Sequence, residues 1–143
     1  MTMNYSAAES VFYVISMLCA GFIEEIIFRG FLFKAIEKSS LKQAIVISSL
    51  TFGIGHIVNL LNGAPVLATL LQICYASAIG FLFTILFYKG KSLIPCIITH
   101  AAVNSLSVFA AESTETVDII VAAVLTVVAA AYALWILKKP ANE

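Results

Sequence analysis

The sequence predicts an all-α protein: a polytopic bundle of about five transmembrane helices that forms one membrane domain over residues 1–143. Hydrophobic residues make up 62% of the chain, charged residues make up 11%, and the mean hydropathy is +1.04. Soluble domains average about 45–50% apolar and about 25% charged residues. A bilayer accepts an apolar surface of this extent, and it requires spanning segments to pair their backbone polar groups internally. The spans are therefore expected to be helices.

Five apolar stretches are the candidate spans, each close to the roughly 20 residues that a helix needs to cross the hydrocarbon. An Asn-Gly-Ala-Pro turn at 62–65 separates the second stretch from the third. Pro95 is expected in the first turn of the fourth helix, and Ser113 or Thr114 is expected to cap the fifth. The five stretches cover residues 8–36, 43–61, 64–88, 92–111 and 117–137.

The charged residues predict an orientation. Lysines occur in the first and third connections and after the last span, whereas Glu9 lies near the N-terminus and the fourth connection carries Glu112, Glu115 and Asp118. By the positive-inside rule, the N-terminus lies outside and the C-terminus is cytoplasmic. Seven of the eight basic residues are then cytoplasmic, namely Lys34, Lys38, Lys42, Lys89, Lys91, Lys138 and Lys139.

Charge balance and cysteine spacing exclude several kinds of protein. Eight basic residues offset eight acidic ones, so the chain lacks the basic face that a nucleic-acid partner requires. The N-terminal segment has no basic start, which argues against a cleavable signal peptide. The three cysteines form no CxxC pair, which argues against a zinc knuckle or a redox motif.

The first apolar stretch contains three ionisable residues, and such residues within the hydrocarbon mark functional sites by default. Glu25 and Arg29 are four residues apart, so they share a helix face and are expected to form an ion pair. Glu24 is then left without a partner in its own helix. A carboxylate in that position is suited to general-base chemistry.

The two histidines lie in the second and fourth stretches. His56 ends a Phe-Gly-Ile-Gly-His segment, in which Gly53 and Gly55 are expected to let another backbone approach closely. His100 and Asn104 are four residues apart and therefore on one helix face.

The polar residues of the three stretches have similar predicted depths in the membrane. At ~1.5 Å per residue, Glu24, His56, His100 and Asn104 all lie between about 14 and about 20 Å from the nearest cytoplasmic lysine. Scattered structural polar residues would have no reason to agree in depth. We therefore expect one site near the membrane midplane.

Two kinds of hydrolytic chemistry fit this set. In one, Glu24 assisted by His56 takes a proton from water, and His100 and Asn104 donate hydrogen bonds to the oxyanion that forms. In the other, Glu24, His56 and His100 are a His₂Glu set for zinc, with water as the fourth ligand and Asn104 outside the ligand set. The spacing leaves both open.

The three motifs together resemble the CPBP family of intramembrane proteases, which includes type II CAAX prenyl endopeptidases and bacteriocin-processing or self-immunity proteins. The motifs are Glu-Glu-x-x-x-Arg at 24–29, Phe-x-x-x-His at 52–56 and His-x-x-x-Asn at 100–104. The resemblance covers about residues 18–108, so the stretch at 117–137 is an additional span. Family members usually have further membrane helices before the first motif, and the chain is therefore expected to be a minimal core or a truncated version.

The resemblance implies a glutamate-type endopeptidase that needs no metal and acts on a lipidated or membrane-associated peptide. Carried over by position, Glu24 and His56 activate water, while His100 and Asn104 form the oxyanion hole. The resemblance assigns supporting roles to Glu25, Arg29 and Phe52.

Other functions stay open at this point. A non-catalytic membrane protein could sequester a toxin peptide as an immunity protein, or scaffold a partner, with the same residues serving packing. A proton-linked transporter component would also use buried Glu and His, but so few spans leave little room for two gates. The expected partners are membrane lipid, a peptide or protein substrate, and a second copy or another membrane protein. The expected location is a plasma membrane, most simply a bacterial one.

Overall fold

The computed structural model describes residues 6–109 and 113–140, which form five helices and no strand. Four helices are long and apolar enough to cross a membrane, and the fourth in chain order is shorter. This confirms the predicted class of an all-α membrane helix bundle. The helices are α1 (Ala7–Glu37), α2 (Leu41–Asn62), α3 (Val66–Gly90), α4 (Ile94–Phe109) and α5 (Glu115–Leu137).

Local signals in the sequence set the helix ends. Gly63 follows α2 in the left-handed region at φ 84°, and Pro65 is the N-cap residue of α3, so the predicted turn is confirmed. Pro95 lies in the first turn of α4, as predicted. The Thr114 hydroxyl accepts a hydrogen bond from the Val117 N–H at 3.4 Å, which makes Thr114 the cap of α5.

Helix α4 is shorter than the span predicted over 92–111. Within the described residues it ends at Phe109, and its last three residues form a 3₁₀ turn. The Ser107 hydroxyl donates to the Asn104 carbonyl oxygen at 2.6 Å, which satisfies a backbone acceptor at this end. At roughly 24 Å, α4 is shorter than the hydrocarbon core. The end of the prediction at 110–111, and the acidic residue Glu112, lie outside the described residues.

The helices pack in an order that encloses the polar motifs. Helix α4 lies along α1, the second half of α1 contacts α2, and α2 lies along α3. Helix α3 also touches α4, so α1 to α4 surround one region. Within the described residues, α5 packs on α3 alone and lies outside that region.

The distribution of polarity is the reverse of that in a soluble protein. Large apolar side chains such as Phe12, Phe31 and Val127 are more than 60% exposed, whereas Glu25 and Arg29 are fully buried. Such a surface suits hydrocarbon and not water. The chain is therefore a membrane protein.

Lysine-bearing segments meet at one end of the bundle. Lys34 and Lys91 both face Glu37, at 3.2 and 4.0 Å. Lys89 donates a hydrogen bond to the carbonyl oxygen of Lys139. The C-terminal ends of α1, α3 and α5 consequently lie together, as the alternation of charged connections predicts.

Candidate active site

A buried ion pair and a histidine form the centre of the site. Arg29 Nη1 lies 3.1 Å from Glu25 Oε1, which confirms the ion pair that their spacing predicts. His100 Nδ1 on α4 approaches the same oxygen to 2.9 Å. Glu25 and Arg29 are fully buried, and His100 is 7% exposed. One carboxylate oxygen therefore joins α1 to α4.

Arg29 is fixed from several sides. Its Nη2 donates to the carbonyl oxygen of Gly80 on α3 at 2.9 Å. Its guanidinium lies 4.4 Å above the ring of Phe52 on α2, within range of a cation–π contact. A Cβ atom at Gly80 would stand 3.3 Å from Arg29 Nη2 and 3.0 Å from the Phe52 ring. The absence of a side chain at Gly80 thus lets Arg29 connect α1, α2 and α3.

Glu24 lies on the other side of the His100 ring. Its Oε2 is 3.8 Å from His100 Nε2, and its side chain is 35% exposed. Within the described residues it makes no hydrogen bond. The Glu24 carboxylate is therefore accessible from outside the bundle and not held by a hydrogen bond, whereas that of Glu25 is fully buried and hydrogen-bonded.

His56 lies in the last part of α2, where the helix tightens to a 3₁₀ geometry over Gly55–Asn62. Its Nδ1 lies 3.1 Å from the carbonyl oxygen of Phe52. No hydrogen bond or ion pair joins His56 to Glu24 in the part of the chain that is described. The ring of Phe52 contacts both histidines, with its centroid 5.5 Å from that of His56 and 5.4 Å from that of His100.

The two histidines are held in the same way. Each Nδ1 faces an oxygen acceptor, the Phe52 carbonyl for His56 and the Glu25 carboxylate for His100. A carbonyl or carboxylate oxygen accepts hydrogen bonds, so each Nδ1 is assigned as the N–H donor. In the neutral rings both Nε2 atoms then present a lone pair. In a protonated ring Nε2 becomes a donor.

Asn104 lies one turn beyond His100 on α4 and is half-buried. Its backbone oxygen accepts the Ser107 hydroxyl, while its side-chain amide makes no hydrogen bond within residues 6–109 and 113–140. That amide is therefore free to donate.

Phe52, 3% exposed, also packs edge-on against Phe28 at 5.3 Å.

The backbone of α1 departs from α-helical geometry in the site. Residues Ile26–Phe33, which include Arg29, form a π-helix. The Ser48 hydroxyl on α2 donates to the Phe28 carbonyl oxygen within this segment at 2.8 Å. Helices with i→i+5 bonding are rare and frequently occur at functional sites. The π-helix changes the rotational phase between Glu25 and the end of α1.

Glycines permit two of the helix contacts near the site. A Cβ atom at Gly21 would lie 2.9 Å from the Ala101 backbone, so α1 and α4 touch next to His100. A Cβ atom at Gly53 would lie 2.7 Å from Ser77 N and 2.8 Å from Ile73 O on α3. The close approach predicted at Gly53 is thus confirmed. The close approach predicted at Gly55 is wrong, because no described atom lies within 4 Å of a Cβ atom placed there, so this position faces away from the neighbouring helices.

The arrangement does not fit the zinc ligand set considered above. Within the described residues no group of three or more His, Cys, Asp and Glu side chains is placed to hold a metal ion. His100 Nδ1 already faces Glu25, and His56 Nδ1 faces the Phe52 carbonyl oxygen. Glu24, His56 and His100 therefore do not converge as ligands.

Two contributors to the site were not found from the sequence. Gly80 accepts from Arg29 and is one small residue in a long apolar run, with no motif around it. Ser48 lies in the second apolar stretch, and its polar side chain was the one feature of the sequence that could have indicated a contact with another helix. By contrast, Glu24, Glu25, Arg29, Phe52 and His100 were all singled out, and the structure brings them together.

The comparison with protein families agrees with this geometry. The model of the family described as type II CAAX prenyl endopeptidase Rce1-like matches residues 6–106. No curated protein and no solved structure matches the chain. The family match spans well over half of the chain, includes all three motifs and ends before α5. The chain therefore belongs to the type II CAAX prenyl endopeptidase Rce1-like family of membrane proteases, as the resemblance of its motifs predicts.

Proposed function

We propose that this protein is an intramembrane glutamate-type endopeptidase that hydrolyses a peptide bond of a lipidated or membrane-associated peptide. The observation that carries the proposal is the placement of two adjacent carboxylates on one imidazole. Glu25 faces Nδ1 of His100 at 2.9 Å, and Glu24 faces Nε2 at 3.8 Å. Glu25 is buried and hydrogen-bonded, while Glu24 is partly exposed and makes no hydrogen bond within the described residues. Membership of a protease family supports peptidase activity in general.

In the proposed reaction, Glu24 is the general base. Its carboxylate takes a proton from a water molecule, and the oxygen of that water attacks the peptide carbonyl carbon. His56 assists through Nε2, which has a lone pair because Nδ1 donates to the Phe52 carbonyl. Within the described residues His56 does not contact Glu24, so the assistance passes through the water or the substrate.

His100 and Asn104 stabilise the tetrahedral intermediate. His100, protonated on both nitrogens, donates from Nδ1 to Glu25 and from Nε2 to the oxyanion. Asn104 adds a second donor through its free side-chain amide. The intermediate then collapses as its C–N bond breaks, and the proton held by Glu24 passes to the leaving nitrogen. The products are a carboxylic acid and an amine, and transfer of the acid's proton to the amine gives a carboxylate and an ammonium group.

The proposal assigns each proton transfer to a side chain and includes no metal ion. Arg29 acts by position: it holds Glu25, and Glu25 holds the His100 ring. A fixed ring aims Nε2 without reorganisation during the reaction, and such preorganised donors are a large part of electrostatic catalysis.

We further propose a multi-pass protein of a bacterial plasma membrane. The lysine-bearing ends of α1, α3 and α5 face the cytoplasm by the positive-inside rule, and the N-terminus of α1 is outside. The peptide substrate and membrane lipid are its partners. A second copy or another membrane protein would complete the walls around the accessible Glu24.

The test compares the purified protein with its Glu24→Gln variant in mild detergent. Both are incubated with hydrophobic and prenylated peptides, and fragments are identified by mass spectrometry. Glu37→Gln is the matched control, because Glu37 lies on the same helix and pairs with surface lysines outside the site. We expect fragments from the wild type and from Glu37→Gln and none from Glu24→Gln.

Two results would oppose the proposal. Equal cleavage by Glu24→Gln would remove Glu24 from the chemistry. Retention of an intact peptide by all three proteins, without fragments, would favour a non-catalytic binding or immunity protein.

A further inference from the structure

Helix α5 lies outside the family match and away from the site, so it needs a separate explanation. It packs on α3, and the two helices leave a cavity at the lysine-bearing end of the bundle. The cavity is open on one side and has a volume of ≈ 220 Å³. Three residues from the end of α3 and three from the end of α5 and its following turn line it, namely Leu86, Lys89, Gly90, Ile136, Lys139 and Pro140.

The lining of this cavity changes from apolar to positive. Leu86 and Ile136 form the part nearer the membrane interior, one turn before Lys89 and Lys139 at the rim. None of the described residues that line it carries a carboxylate. In the described part of the chain, the acidic residue at this end is Glu37, which is already paired with Lys34 and Lys91. The cavity therefore carries positive charge that no described acidic residue offsets.

Its surroundings are those of a membrane–water boundary. Lys139 Nζ lies 3.5 Å above the ring of Trp135, and Trp135 stacks on Tyr132 with centroids 5.6 Å apart. Tryptophan, tyrosine and lysine of this kind occupy the headgroup level of a bilayer. A cavity there meets lipid headgroups rather than bulk water alone.

We propose that this cavity binds the headgroup of an anionic phospholipid. The phosphate lies between Lys89 and Lys139, and the start of an acyl chain lies along Leu86 and Ile136. The volume suits this occupant, because pockets for whole drug-sized ligands are about 300–1,000 Å³, whereas a headgroup leaves its chains in the bilayer. Basic pockets between transmembrane helices bind such headgroups.

The test measures lipid retention by native mass spectrometry of the delipidated full chain in detergent. Phosphatidylglycerol and phosphatidylcholine with the same acyl chains are added at equal concentration. We expect preferential retention of one phosphatidylglycerol. Lys89→Gln and Lys139→Gln should each lower that preference by about fivefold, the effect of one lysine near an anionic surface. Lys42→Gln, at the same end but outside the cavity, should leave it unchanged.

A variant that blocks the cavity distinguishes binding in the cavity from two other effects. These are a general attraction of lipid to positive charge and a loss of packing when Lys89 is replaced. Gly90 lines the cavity, and a Cβ atom there would meet no atom within 4 Å. Gly90→Leu therefore fills space without altering charge, and it should abolish the preference for phosphatidylglycerol while the thermal unfolding midpoint stays at the wild-type value.

Three results would overturn the proposal. These are equal retention of the two lipids by the wild type, full retention of phosphatidylglycerol by Gly90→Leu, and an equal loss in Lys42→Gln. Displacement of the lipid by millimolar inorganic phosphate would identify a site for a free anion instead.

Discussion

Glu25 Oε1 lies 2.9 Å from Nδ1 of His100, and this contact joins residues 75 positions apart in the sequence. The same oxygen pairs with Arg29. A single buried carboxylate thus fixes the ion pair of α1 and the histidine of α4. Its neighbour Glu24 is left accessible on the opposite edge of the ring.

Glu25→Gln should destabilise the fold more than any change at Glu24. The substitution leaves the Arg29 guanidinium fully buried without its carboxylate, and breaking a buried ion pair in this way costs about 3–5 kcal/mol. Denaturant titration in detergent measures the free energy of unfolding. Glu24→Gln, in which a partly exposed carboxylate without a hydrogen bond is replaced, should stay near the wild-type value. Equal stability of all three proteins would contradict the role given to Glu25.

Gly53→Ala should weaken the contact between α2 and α3. The new methyl group would stand 2.7 Å from Ser77 N and 2.8 Å from Ile73 O, which are backbone atoms that cannot rotate away. Overpacking of this kind costs about 1–3 kcal/mol. The unfolding midpoint in detergent checks it.

Gly55→Ala is the matched control for this change, two residues away on the same helix. Its methyl group meets nothing within 4 Å, so stability should be unchanged or slightly higher. A larger loss of stability in Gly55→Ala than in Gly53→Ala would contradict the observed packing of α2 on α3.

Much of this structure follows from the sequence. Spacing within a helix predicts the Glu25–Arg29 pair, and hydropathy predicts the helices, because both depend on local geometry. Contacts between helices are harder to predict. In a membrane helix such as α3 the lipid-facing and buried sides are both apolar, so its periodicity does not reveal that Gly80 faces Arg29.

The contact between Glu25 and His100 is likewise not specified by the sequence. The motif spacing placed Glu24 as the carboxylate of the site and Glu25 as a structural partner. In the structure Glu25 is also the nearer partner of His100. The rotation of α1 relative to α4 decides this order, and local sequence rules do not specify that rotation.

Ser48→Ala should test the attachment of the π-helical segment. The Ser48 hydroxyl donates to the Phe28 carbonyl across two helices at 2.8 Å, and its loss should cost about 1 kcal/mol of unfolding free energy. Cleavage activity should fall with it, because the segment carries Arg29. Thr51→Ala, which removes a hydroxyl bonded within its own helix, is the control and should affect neither measurement strongly. Larger effects at Thr51 would contradict this reading of α1.

Peptide cleavage by the purified protein should survive a strong chelator. The described side chains bring no three metal ligands together, and Glu24 is available to activate water directly. The rate is measured before and after prolonged dialysis against chelator. Loss of cleavage that added zinc restores would revive the ligand set of Glu24, His56 and His100.

The most direct measurement is the single-turnover rate of peptide cleavage by Glu24→Gln, with peptide binding measured on the same sample. A general base contributes about 10²–10⁴-fold, so the rate should fall at least about 100-fold while folding and peptide affinity are retained. A rate within a few-fold of the wild type, from a folded protein that binds its peptide, would contradict the assignment of Glu24 as the catalytic base.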